Sequence, residues 1–115
     1  MEEGILLPAR RILNVFYLHG FASSAASSKA RYFRERLARR GVTLDCPDFN
    51  QPDFSTLTVT RMLDQLAAAI APLPPAPVAL IGSSLGALVA YHAAQRSGEA
   101  RARGAADPHP IDRLI

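Results

Sequence analysis

The segment Gly82-Ser83-Ser84-Leu85-Gly86 follows an apolar run, VALI at residues 78–81, and precedes a stretch of Ala and Leu suited to helix. A Gly-x-Ser-x-Gly pentapeptide between strand and helix makes a tight, strained turn that lifts the serine hydroxyl above the sheet edge, where it can attack a carbonyl carbon. Glycine suits the two flanking positions because side chains there would collide with the neighbouring strand and helix. Ser84 is therefore the candidate nucleophile, at a helix N-terminus whose unpaired N–H groups and positive partial charge favour an oxyanion. The Leu85 N–H, directly after the nucleophile, is one candidate oxyanion donor. A second is expected from the loop after an earlier strand. Leu18-His19-Gly20-Phe21 is a loop of that kind, and the Phe21 N–H is the candidate. The plainer alternative for Ser84 is a capping serine in an ordinary turn.

Such a serine works with an acid and a base that follow it in chain order, and only about thirty residues follow Ser84. His92 lies eight residues along the helix, about 12 Å, whereas a base must sit within about 3 Å of its proton donor. Packing or surface is its expected place. Asp107-Pro108-His109 falls in a stretch without apolar period and is not expected to complete a triad. His19, at the carboxyl end of a strand expected beside the one ending at Ser84, could approach the hydroxyl. Asp48 and Asp53 follow the second strand on the same rim and are read as turn residues.

The elements that must position these groups alternate. Residues 12–18 (ILNVFYL) form a short apolar run rich in Ile, Val and aromatics, as a buried strand does. Residues 29–40 place Ala30, Phe33 and Leu37 at helical spacing, with Ser27 or Ser28 as N-cap and Gly41 where a closing glycine belongs. Residues 42–46 (VTLDC) read as a second strand stopped by Pro47, and residues 47–54 as a loop. From Ser55 to about Ala71, the positions Val59, Met62, Leu63, Leu66 and Ile70 describe the apolar stripe of a surface helix. Residues 78–81 read as a third strand, and Leu85 to about Arg96 as a helix so nearly free of charge that burial all round is expected. This alternation predicts an α/β fold: a three-layer αβα sandwich on a parallel sheet of about three strands. Residues 1–96 form the ordered unit, and 97–115 an irregular tail ending in the start of a further strand.

Composition narrows the classes. The chain has 115 residues, 49% hydrophobic and 20% charged, enough for one domain with a core and against disorder throughout. Cys46 is the single cysteine, so neither an internal disulfide nor a cysteine-based zinc site is expected. No cofactor and no metal are expected, and the setting is expected to be reducing and cytoplasmic. Glu2 and Glu3 stand where an export signal carries positive charge, and no apolar run approaches the roughly 20 residues that cross a bilayer. Net charge is +3. Lys29, Arg31, Arg34, Arg36, Arg39 and Arg40 crowd one helix, but Glu35 interrupts them and no aromatic platform accompanies them. A solvated outer face is favoured over an anionic-membrane or nucleic-acid surface, so neither partner is expected.

Two segments in this order, YLHGFASSAASSKARYF (residues 17–33) and LIGSSLGALVAYHAA (residues 80–94), resemble the YqiA/YcfP-like esterases of the α/β-hydrolase superfamily, over residues of about 12–95. The resemblance implies the N-terminal half of an α/β-hydrolase fold, with residues 12–18 as central strand between the other two. It implies a serine hydrolase, esterase or thioesterase, acting on a small-molecule ester or thioester through Ser84, with the Phe21 and Leu85 amides as oxyanion hole. In that family such a His-Gly pair shapes the oxyanion loop and does not serve as base, so the resemblance favours loop architecture over base for His19. Ala87 departs mildly, since many relatives carry a second glycine there. The short remainder after Ser84 predicts an incomplete triad and a truncated or frame-disrupted chain. The alternative is a non-catalytic hydrolase-fold product or a small binding module using the basic helix 29–40. A flat, apolar edge at residues 78–81 predicts instability or self-association.

Overall fold

The structure, a computed structural model, describes residues 14–20, 23–53, 55 and 57–115. Strand β1 (Asn14–Leu18) buries four of its five residues; Ile12 and Leu13, expected to open it, lie outside the described residues. Helix α1 (Ser28–Ala38) is capped by Ser27, whose hydroxyl accepts the Ala30 N–H at 3.2 Å. It closes on Gly41 at φ +75°, with Gly41 N–H donating to Ala38 O and Val42 N–H to Leu37 O. That left-handed closing turn is what a glycine after a helix provides.

Strand β2 (Leu44–Asp45) has two residues, fewer than the five of 42–46, because it pairs with β1 only through Val15 and Phe16 and Pro47 has no N–H to give. Helix α2 (Val59–Ile70) starts later than Ser55, since Thr58 takes the cap and its hydroxyl accepts the Arg61 N–H at 3.0 Å. Strand β3 (Val78–Gly82), helix α3 (Leu85–Ala102) and strand β4 (Ile111–Leu114) follow.

The sheet is parallel throughout, in the order β2-β1-β3-β4. Alternation along the strands sorts the core into two faces. Val15, Tyr17, Ala79 and Ile81 pack with Ala30 and Leu44 under α1. Phe16, Leu18, Val78 and Leu80 pack on the other face with Met62, Leu66, Val89 and Ala93 from α2 and α3. The result is a three-layer αβα sandwich. Each fully buried side chain of this size contributes roughly 1.5–3 kcal/mol, so the two central strands hold the fold. The chain leaves β1 toward α1 on one face and leaves β3 toward α3 on the other. Such a switch point opens a crevice beyond the carboxyl ends of the two strands.

Three expectations are corrected. The segment from Ser97 is not irregular at its start, because α3 runs on to Ala102. The Ser97 hydroxyl donates to Asp107 Oδ2 and accepts from Arg101 and from the Ile111 N–H, so this last turn tethers the chain entering β4. Helix α3 is also not buried all round: Gly86, Val89, Ala90 and Ala93 face inward, while Leu88 and Tyr91 are 46% and 56% exposed. Among the described residues no layer covers that outer side. Finally, the edge expected at residues 78–81 is occupied, because β4 pairs with β3 and gives the sheet four strands.

Candidate active site

The pairing of Leu18 with Gly82 places the turns that follow β1 and β3 side by side. The Ser83 N–H donates to Leu18 O at 3.2 Å, stitching one turn to the other. Glycine is required where they touch. A Cβ on Gly86 would stand 1.9 Å from Leu18 O, and one on Gly82 would stand 2.6 Å from the Ala87 Cα. A Cβ on Gly20 would stand 2.9 Å from Ser83 O and from the Ser84 Cβ. The first contact lets α3 begin directly against β1, the second lets it fold back tightly on the end of β3, and the third brings the His19-Gly20 turn against the serine.

Ser84 itself sits at φ 57°, ψ −122°, and is the one non-glycine residue with positive φ among those described. A side chain held in so sparsely populated a region costs about 1–3 kcal/mol and persists only when the surroundings over-determine it. Here the three glycine contacts and the Ser83–Leu18 bond do so. Ser84 occupies the N-cap position of α3 yet makes no side-chain capping bond, and it is exposed. Its hydroxyl is not spent on closing the helix. Among the described residues the Leu85 N–H donates to no backbone carbonyl, while Gly86 and Ala87 donate to Ser83 O and Ser84 O. Phe21 lies outside the described residues.

The histidines divide by place. His19 is fully buried, and both ring nitrogens are engaged: Nε2 accepts the Phe49 N–H at 2.9 Å, and Nδ1 lies 3.0 Å from Gly20 O. Acceptance at Nε2 leaves the proton on Nδ1, where it can donate to that carbonyl. The ring therefore ties the turn after β1 to the loop after β2. His92 lies on α3, with its ring edge-on to Tyr91 at 5.7 Å. His109 precedes β4, and its Nε2 lies 2.7 Å from Leu73 O. That contact is at the amino ends of the strands, and five-residue β3 separates it from Ser84 by roughly 16 Å. A cavity of about 390 Å³, lined in part by Leu66, Ile70, Ala93 and His109, opens at that same distant end. Size does not make it the site: the serine on its wall, Ser97, has its hydroxyl engaged by Asp107, Arg101 and the Ile111 N–H, where it tethers the chain entering β4.

On the near rim, Asp48 Oδ1 accepts the Asn50 N–H at 3.0 Å and lies 3.8 Å from His19 Nε2. Asp53 accepts the Ser55 hydroxyl. Both carboxylates thus serve turns. The cationic face of α1 is mostly exposed; Arg36 stacks over Tyr32 at 5.3 Å and Arg34 reaches Cys46 Sγ at 3.1 Å. One of its members behaves differently: Lys29 Nζ donates to Ser83 Oγ at 3.2 Å, beside the nucleophile turn. Periodicity grouped Lys29 with the arginines, and only its being the sole lysine set it apart. No helix among the described residues is long and apolar enough to cross a membrane.

Strand order, switch point and the turn at Ser84 together define a partial α/β-hydrolase fold. The chain belongs to the uncharacterised protein family UPF0227, whose sequence model matches residues 14–102, and this is the YqiA-like family that the two quoted segments resemble. Among solved structures, the ydeN gene product of B. subtilis is similar at 22% identity and a TM-score of 0.57, covering 70% of this chain and 41% of that one. A protein of Xanthomonas campestris pv. campestris, described as a candidate hydrolase of the alpha/beta superfamily, is similar at 28% identity and a TM-score of 0.55, covering 88% of this chain and 55% of that one. The chain thus spans about half the length of these structures, or less. No curated protein matches it.

Proposed function

We propose that this chain carries the nucleophile half of a serine hydrolase that cleaves a carboxylic ester or thioester by acyl transfer to Ser84. The observation that carries the proposal is the backbone of Ser84, held at φ 57° with its hydroxyl exposed and free of capping. A capping serine would have extended backbone and a bond to the helix. In the proposed step, the Ser84 hydroxyl gives its proton to solvent water as its oxygen adds to the carbonyl carbon, and the displaced electron pair becomes an oxyanion. The Leu85 N–H then donates to it, with the Phe21 N–H as second donor. Collapse expels the alkoxide or thiolate, which takes a proton from water to leave as alcohol or thiol, and the acyl-serine that remains is hydrolysed by water to the acid and free Ser84. No metal or organic cofactor takes part, and the setting is cytoplasmic.

None of the three histidines takes the hydroxyl proton, which passes to solvent. His19 has both nitrogens committed inside the loop, and His92 and His109 stand too far along α3 and too far down the sheet. Catalysis by these residues alone therefore rests on the oxyanion donors and binding. Such a remnant can be worth roughly 10³ to 10⁴-fold over water. The test is hydrolysis of 4-nitrophenyl butyrate, followed for burst and turnover. Slow turnover with acyl-serine accumulation, lost in Ser84→Ala, is expected. Equal turnover by Ser84→Ala would overturn the proposal.

A further inference from the structure

Lys29 is the only lysine of the chain, and it stands in the first turn of α1, where no acidic residue accompanies it. A cation there opposes the positive end of the helix dipole, so helix physics supplies no reason for it. Its ammonium instead reaches a residue 54 positions away and donates to Ser83 Oγ. Among the described residues no carboxylate pairs with it.

Ser83 adjoins Ser84, with Cα atoms about 3.8 Å apart, and its carbonyl faces Gly20. The Lys29 ammonium, the N-terminus of α3 and the uncommitted Leu85 N–H thus converge on one rim. The nearby carboxylates are turned to other tasks: Asp48 holds the Asn50 N–H and Asp53 the Ser55 hydroxyl. Among the described residues neither carboxylate pairs with Lys29, whose ammonium has only a neutral hydroxyl as partner.

We infer that Lys29 is a specificity-determining residue, binding a carboxylate that the ester substrate carries a few bonds from its reacting carbonyl. The inference rests on the proposed role of Ser84. A neutral hydroxyl, Ser83 Oγ, is its present partner; a substrate carboxylate replaces it with a charge-assisted bond, which is shorter and stronger. Because Lys29 is exposed, water and salt screen the pair, and its effect is modest and falls with ionic strength. It acts on ground-state binding and therefore mainly on KM.

Two measurements test this, and the first needs no turnover. Ser84→Ala protein is titrated with methyl butyrate, with monomethyl succinate (carboxylate on the acyl side) and with acetoxyacetate (carboxylate on the alcohol side), following the Gly20, Ser83 and Leu85 amide resonances. At least one anionic ester should bind about twofold to fivefold more tightly than the neutral one, and Lys29→Ala should erase the difference. The arm that saturates identifies the side carrying the charge. Equal affinity for all three would overturn the inference. In the second, kcat/KM for 4-nitrophenyl hemisuccinate is divided by that for 4-nitrophenyl butyrate. Lys29→Ala should lower this ratio by the same factor at low salt, and Lys29→Arg should restore it. An unchanged ratio with active protein would overturn the role of Lys29 alone. Absence of acylation by either ester would overturn the role of Ser84, while the titration still decides whether Lys29 binds the anion.

Discussion

Two glycines of α3 should respond to the same substitution with opposite signs. At Gly86 an added Cβ would stand 1.9 Å from Leu18 O, 2.6 Å from Leu18 C and 2.9 Å from His19 O. Ordinary carbon–oxygen contacts begin near 3.3 Å, so helix and strand must part by more than about 1 Å along backbone that has no flexible end. That displacement also lifts Val89, Ala90 and Ala93 from the core they share with Val78 and Leu80. Overpacking usually costs about 1–3 kcal/mol, and a backbone obstacle belongs at or above the upper end. At Gly98, in the same helix, nothing lies within 4 Å of the new Cβ, and alanine is favoured over glycine inside a helix by about 0.5–1 kcal/mol. Urea and thermal unfolding followed by circular dichroism should show Gly86→Ala melting lower by roughly 10 °C or more and Gly98→Ala higher by a few degrees. A Gly86→Ala protein within about 1 kcal/mol of the parent would refute the close approach of α3 to β1 from which the site is built.

Other outcomes follow from the same contacts. Ser84→Gly should be more stable than Ser84→Ala by about 1 kcal/mol in urea unfolding, because relief of about 1–3 kcal/mol of strain outweighs the chain-entropy cost of glycine; the reverse order would deny the strain. Ser27→Ala and Thr58→Ala should each cost about 1 kcal/mol, measured the same way. Burial pushes the Cys46 thiol up, outweighing Arg34, which lowers it. A group raised in the folded state adds stability below its unfolded value and loses it as pH climbs through the folded one. Stability relative to Cys46→Ala should therefore fall above about pH 8.5, and iodoacetamide should react slowly at neutral pH. Self-association should involve β4, since Leu114 and Ile115 are 47% and 71% exposed; sedimentation of Leu114→Lys should show less of it than the parent.

Much of the fold was legible because its signals are local and periodic. The alternating strand residues, the stripe Met62, Leu63, Leu66 and Ile70, and the closing Gly41 each report their own element. Ser84 was legible for a related reason, since Gly82 and Gly86 mark a turn whose contacts only glycine permits. The end of α3 was not, because residues 97–102 carry no apolar period and are held through Ser97 and Arg101, both of which reach Asp107. A signal was nonetheless present in Gly104, at φ +81°, where its N–H to Arg101 O and the Ala105 N–H to Ala100 O repeat the closing turn seen at Gly41. The late start of α2 depended on which of several hydroxyls takes the cap, and sequence does not choose among them. His19 and Lys29 depend on partners far along the chain, Phe49 and Ser83, that no local pattern pairs with them.

Ser84 as an exposed, unspent nucleophile is most directly tested by treating the protein with a fluorophosphonate probe and mapping the adduct by peptide mass spectrometry. One slow, stoichiometric adduct on Ser84 is expected, absent from Ser84→Ala and unchanged in His109→Ala, because His109 lies at the far end of the sheet. An unlabelled protein, or an adduct at another residue, would contradict the assignment.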